Sequence, residues 1–131
     1  MIALISPTEP DGNWTRLCNQ VIGTVPLESI GIFQTLASFK ERINQGKTDI
    51  SAIVFFAANR QELMALKSLH ERVSDVKIIL VLPDMDQETT RIGHTFCPRY
   101  ISHTHSTFED VAAVLNKMIV NAPMPSLVSG G

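Results

Sequence analysis

Apolar residues in this chain fall into two arrangements, short continuous runs and stripes with helical spacing. Continuous apolar runs occupy residues 1–6, 50–58 and 76–82, and shorter or more mixed runs occupy residues 29–34 and 99–102. Such runs predict strands, and runs without polar alternation predict strands buried on both faces. After each run, apolar residues recur every three or four positions, which predicts a helix.

Several residues mark where these helices begin and end. The first helix is expected to start from an N-cap at Asp11 or Asn13, because both side chains accept hydrogen bonds from helix-start amides. The fourth is expected to run from a cap at Asp86 through Phe96, with few apolar anchors. A capping-box-like segment at Thr107 predicts the start of the last helix.

Five strand–helix units in succession predict an α/β fold with one parallel sheet and right-handed crossovers. The first, third and fourth strand runs are the most uniformly apolar, as interior strands should be, and the second and fifth are more mixed. This pattern predicts a flavodoxin-like, doubly wound, five-stranded sheet with strand order 2-1-3-4-5. We expect one domain over residues 1–120, followed by a linker or disordered tail over 121–131.

Composition narrows the function classes. The chain has 131 residues, 44% hydrophobic and 18% charged, with a net charge of −2, which is typical of one globular domain. The sequence lacks the run of Lys and Arg that would indicate a nucleic-acid surface, and no apolar run approaches the roughly 20 residues of a membrane span. We therefore expect a cytoplasmic protein that binds neither nucleic acid nor membrane. Cys18 and Cys97 are expected to be packing residues, with a disulfide as the alternative.

The order of these elements resembles the receiver domain of bacterial response regulators, the CheY-like fold, over about residues 1–120. Members of that family accept a phosphoryl group on an aspartate at the tip of the third strand. An acid pair after the first strand holds Mg²⁺, and a Thr or Ser and a Lys follow the fourth and fifth strands. The corresponding positions in this chain carry none of these side chains: Ser6 and Pro7, Phe56 or Ala57, Leu82 or Pro83, and His103.

The resemblance implies a degenerate receiver, a pseudo-receiver, that is not an enzyme. Phe56 and Ala57 have no carboxylate to attack phosphorus, and acyl-phosphate formation also needs a divalent cation and a nearby positive charge. Tyr100 matches the family's aromatic switch position, three residues before His103. The resemblance also implies that the fourth helix, fifth strand and fifth helix form a contact surface. We expect a signalling module that binds a protein partner or forms a homodimer, with no cofactor and no metal.

A second interpretation is a small-ligand or metal-binding flavodoxin-like domain, because ligands of open parallel sheets bind beyond the carboxyl ends of the strands. His103 and His105, with Asp84, could form a metal or anion site there, or both could be solvated loop residues. A third interpretation makes Asp84 a displaced phosphoacceptor. The polar residues expected at this edge are Ser6, Thr8, Asn59, Asp84, Asp86, His103 and His105.

Overall fold

The computed structural model describes residues 2–6, 12–46, 50–73, 75–104 and 106–120, and the structural statements below concern these residues. The strands are β1 (Ile2–Ile5), β2 (Ile30–Phe33), β3 (Ala52–Phe56), β4 (Lys77–Leu82) and β5 (Tyr100–His103). The helices are α1 (Gly12–Ile22), α2 (Leu36–Asn44), α3 (Arg60–His70), α4 (Gln87–His94) and α5 (Glu109–Val120). Short 3-10 turns cover Leu27–Ser29 and Glu71–Val73. The predicted tail over 121–131 lies outside the described residues.

All five strands pair in parallel in the order β2-β1-β3-β4-β5, which confirms the predicted flavodoxin-like, doubly wound arrangement. Ile2 of β1 lies opposite Ile30 on one side and Ala52 on the other. The four ladders leave β2 and β5 as the edges, in agreement with their more mixed sequences. The carboxyl ends of β1, β3 and β4 therefore meet at one edge of the sheet.

Two apolar layers cover the sheet, one on each face. On one face, α2, α3 and α4 pack against alternate strand residues that include Phe55 and Leu80. On the other, α1 and α5 pack against the intervening residues, which include Val54 and Phe56. The six strand residues predicted to be most buried are fully inaccessible to solvent: Ile53, Val54, Phe55, Ile79, Leu80 and Val81.

Helix α4 lies unusually close to the sheet, and Gly93 permits this approach. A Cβ atom built on Gly93 would meet the methyl carbons of Leu82 and Leu80 at 3.2 and 3.3 Å. The sequence shows Gly93 only as a residue that weakens a helix. In the fold, the missing side chain lets the backbone of α4 pack directly on β4.

The predictions for helix α4 and for Cys97 need correction. Helix α4 ends at His94 rather than Phe96, and Asp86 occupies its N-cap position without a capping hydrogen bond. Cys97 is exposed, not a packing residue, and its φ of 49° places it in the left-handed region. Cys18 is half-buried, and this burial raises the pKa of its thiol to about 11. Both thiols are free. Within the described ranges, no helix is both long and apolar enough to cross a lipid bilayer.

Truncation of Leu80 tests the two-sided burial of the sheet. We expect Leu80→Ala to lower the free energy of unfolding by about 2–5 kcal/mol, because it opens a cavity in an interior strand. Urea denaturation followed by circular dichroism measures this loss. Met85→Ala is the control, since the Met85 side chain is 72% exposed, and we expect a change within about 0.5 kcal/mol. A loss below about 1 kcal/mol for Leu80→Ala would contradict the described core.

Candidate functional site

The tip of β3, where receivers carry their phosphoacceptor, is closed by apolar side chains. Phe56 is the last residue of the strand, and Phe56 and Ala57 are both fully buried, on opposite faces of the sheet. The amide of Ala57 donates to the carbonyl of Val81 at 3.1 Å, so the backbone continues the ladder past the strand end. Neither residue offers a group that reacts with phosphorus.

The ring of Phe56 belongs to an aromatic cluster, which we define as Trp14, Phe56 and Phe108. The centroid of the Phe56 ring lies 5.6 Å from that of Trp14 and 6.4 Å from that of Phe108, both edge-on. Edge-to-face pairs at these distances add about 0.5–1.5 kcal/mol each beyond the burial of the rings. The cluster fastens α1 and the start of α5 to the tip of β3.

Arg16 closes this cluster from the solvent side. Its guanidinium carbon lies 5.1 Å from the centroid of the Phe108 ring, within cation–π range. Its Nη2 donates to the carbonyls of Thr104 at 3.0 Å and Ser106 at 2.9 Å. The one Arg16 side chain therefore links α1 to the loop between β5 and α5.

Phe108 has a φ of 68°, which is rare for a bulky residue. Its amide donates to Ser106 Oγ at 2.9 Å, and its ring is fully buried. Residues in the left-handed region cost about 1–3 kcal/mol and persist where the surroundings hold them. Here the buried ring and the Ser106 bond hold this conformation, and α5 begins at the next residue.

The other positions that the resemblance assigned to phosphorylation lie at the ends of β1, β4 and β5. Ser6 follows β1 and is 1% exposed, and its Oγ has no hydrogen-bond partner among the described residues. Leu82 is fully buried at the end of β4. His103 ends β5 and is half-buried, at the carboxyl edge near Asp84. Pro7 and Thr8 lie outside the described residues.

Asp84 is the centre of a small polar group at the carboxyl edge. Its Oδ1 accepts from the amide of Asp86 at 2.9 Å. Hydrogen bonds from the Thr89 hydroxyl and from that amide hold the pKa of Asp84 below its ordinary value, with smaller contributions from the charges of Arg60 and His103. Through its Oδ1, the Asp84 carboxylate holds the loop that leads into α4.

Arg60 joins this group from α3. Its Nε donates to Thr89 Oγ1 at 3.2 Å, and its Nη2 lies 3.4 Å from Asp86 Oδ2. Asn59, also expected at this edge, is the N-cap of α3: its Oδ1 accepts from the Glu62 amide at 2.9 Å. Glu62 Oε1 in turn accepts from the amide of Ala58, the residue before the N-cap, at 2.8 Å. These polar groups serve the starts of α3 and α4.

A metal site at this edge finds no ligand set among residues 2–6, 12–46, 50–73, 75–104 and 106–120. No three His, Cys, Asp or Glu side chains there are grouped so that they could hold an ion. His105, which the second interpretation places beside His103 in a metal or anion site, lies outside the described residues.

Asp110, on the first turn of α5, binds three hydroxyl groups. Tyr100 Oη and Ser102 Oγ donate to its Oδ2 at 2.9 and 2.8 Å, and Ser106 Oγ donates to its Oδ1 at 2.8 Å. Partial burial would raise the pKa of Asp110, but these three bonds outweigh it and hold the pKa below the ordinary value. The bond to Asp110 also raises the pKa of Tyr100.

Tyr100, the candidate switch residue, is therefore held toward α5. Its ring packs against the cluster formed by α1, α5 and the sheet, and its hydroxyl is bonded to Asp110. An outward rotation of the ring would break this bond and weaken the attachment of β5 to α5. Sequence reasoning missed both Asp110 and Arg16. The partners of Arg16 lie 88 and 90 residues away, but those of Asp110 lie only 4 to 10 residues before it, in β5 and the loop that follows.

Comparisons of the chain with protein-family models, with curated proteins and with solved structures found no match to any of the three.

Removal of the Asp110 carboxylate should loosen β5. We expect Asp110→Ala to lower the free energy of unfolding by about 1.5–3 kcal/mol at neutral pH, because the hydroxyls of Tyr100 and buried Ser102 lose a charged acceptor. The folded-state pKa of Asp110 is depressed. Its contribution is therefore complete above the unfolded pKa of about 3.9 and is lost as the pH falls through the folded value.

Urea denaturation between neutral and acid pH measures this contribution as the difference between wild type and variant, which should shrink on acidification. Glu109→Ala is the matched control, since Glu109 is the exposed acid beside Asp110 on the same helix turn. We expect it to cost no more than about 1 kcal/mol, the value of an acid at a helix start. Equal losses for the two variants would contradict the role of the three hydroxyl contacts.

Proposed function

We propose that this protein is a receiver-like module that has lost phosphoryl-transfer chemistry and regulates other proteins through direct contact. One observation carries the proposal: the position of the phosphoacceptor is filled by the Phe56 ring, packed between Trp14 and Phe108. The shared strand order supports the relation to receivers, and the replacement of a reactive carboxylate by a core side chain supports the loss of chemistry.

The contact surface that we propose consists of α4, β5 and α5. Strand β5 is an edge of the sheet, so one side of its backbone has no strand partner. Polar side chains of α4 and the exposed side chain of Met85, two residues before the helix, line an open depression of 830 Å³. An edge strand beside a shallow surface is suited to a protein partner, and a two-fold homodimer is the commonest arrangement of this kind.

The alternative, a small-ligand or metal site at the carboxyl edge, has weaker support. The side chains of Asn59 and Asp84 each accept a hydrogen bond from a backbone amide, and Arg60 contacts Thr89 and Asp86. A ligand would have to compete with these contacts. The buried Ser6 hydroxyl is the observation at this edge that favours a ligand.

The loss of chemistry is tested by phosphorylation with a small donor. Incubation with acetyl phosphate and Mg²⁺ should leave the intact mass unchanged, because the tip of β3 has no carboxylate. A receiver domain with an intact phosphoacceptor aspartate serves as the positive control in the same reaction. A phosphoryl adduct that disappears in Asp84→Asn would contradict the proposal and identify Asp84 as a displaced acceptor.

Self-association is tested by sedimentation velocity at micromolar concentration, where we expect a dimer. Its interface should include Tyr100 and residues of α5, and should bury more than about 1,000 Å² in total. Ala113 is exposed on α5, and Ala113→Glu should shift the protein toward monomer, since the new charges lie in the interface. Ala37→Glu, at an exposed position on α2, is the matched control and should leave the dimer intact. A wild-type monomer would exclude the homodimer and leave a different protein as the partner.

A further inference from the structure

A basic groove lies at the amino edge of the sheet, opposite the degenerate phosphorylation positions. We define it by the residues that line it: Lys77, Arg99, Val114, Lys117 and Met118. Lys77 is the first residue of β4, and Arg99 directly precedes β5, where its amide donates to the Ile78 carbonyl at 2.7 Å. The other three residues belong to α5, Val114 near its middle and Lys117 and Met118 in its second half.

No acidic residue is among the described residues that line the basic groove, and within the described ranges Lys77, Arg99 and Lys117 make no side-chain hydrogen bond or ion pair. Two cations elsewhere on the surface differ in this respect: Arg60 pairs with Asp86, and Arg91 pairs with Glu88. Since the whole chain has a net charge of −2, the groove is a local concentration of positive charge.

The floor and the size of the basic groove restrict what can occupy it. Val114 and Met118 are half-buried and give it an apolar floor, and a Met side chain adapts readily to different partners. The volume is 270 Å³, below the roughly 300–1,000 Å³ of small-molecule pockets. One or two side chains of a peptide fit such a space better than a nucleotide does.

The neighbouring edge strand gives an extended segment a place to lie. Arg99 leads into β5, whose outer side pairs with no strand in the part of the chain that the structure describes, and extended peptides commonly add to exposed sheet edges. We propose that the basic groove docks an acidic segment of a partner protein, in which carboxylates meet Lys77, Arg99 and Lys117 and an apolar residue contacts Val114 and Met118. This inference rests on the proposed function and names the chemistry of the partner.

The test is fluorescence anisotropy of the full chain with a labelled peptide in which glutamate alternates with leucine. We expect saturable binding with a Kd below about 1 mM at low salt, and loss of binding at about 0.5 M salt, where surface charges are screened. Lys117→Glu should weaken binding about tenfold, through loss of one contact and repulsion of the remaining carboxylates. Lys40→Glu makes the same charge change on α2 and should leave the Kd unchanged.

Several results would overturn the inference. The first three are no binding of the peptide, equal binding of a peptide with glutamine in place of glutamate, and equal weakening of binding by Lys40→Glu. Equally effective competition by tripolyphosphate or a single-stranded oligonucleotide would identify a general polyanion site. Loss of self-association in Lys117→Glu would identify a contact between copies of this chain. Sedimentation separates this inference from the proposed function. If the peptide fails to bind but the protein forms a dimer that Ala113→Glu disrupts, only the proposal for the basic groove is overturned.

Discussion

Apart from Lys77 at the start of β4, the residues of strands β1, β3 and β4 are shielded from solvent on both faces of the sheet, and all of them are apolar. The two helix layers exist because both faces of the sheet need cover. At the tip of β3 the same requirement applies to Phe56, which contacts Trp14 and Phe108 where a receiver would hold an ionised carboxylate. A buried apolar ring stabilises this position, whereas a charge there would need a metal or a cation beside it.

Polar groups gather where the strands end, and most of them bind within the protein. At the carboxyl edge, Asn59 caps α3 and Asp84 holds the loop that leads into α4. At β5, Asp110 accepts from three hydroxyls and so attaches the edge strand to α5. The amino edge differs, because no carboxylate is among the described residues that line the basic groove with Lys77, Arg99 and Lys117.

The two surfaces that we propose for protein contacts both lie on the β5 and α5 side of the sheet. The proposed contact surface and the basic groove are contiguous through β5 and α5, so one partner could use both. Tyr100 belongs to the proposed contact surface, and its ring packs against the α1 and α5 layer while its hydroxyl donates to Asp110. In this arrangement the aromatic residue contributes a fixed part of the surface, since its movement would break the attachment of the edge strand.

Local sequence determined the elements, their order and the interior strands, because burial on both faces forces the continuous apolar runs at residues 50–58 and 76–82. Tertiary packing alone decided the left-handed backbone of Phe108, the close approach at Gly93 and the reach of Arg16 to Thr104, 88 residues away. These features depend on how the helices pack against the sheet. The sequence pattern did not predict them because it describes neighbouring residues and not the contacts between distant ones.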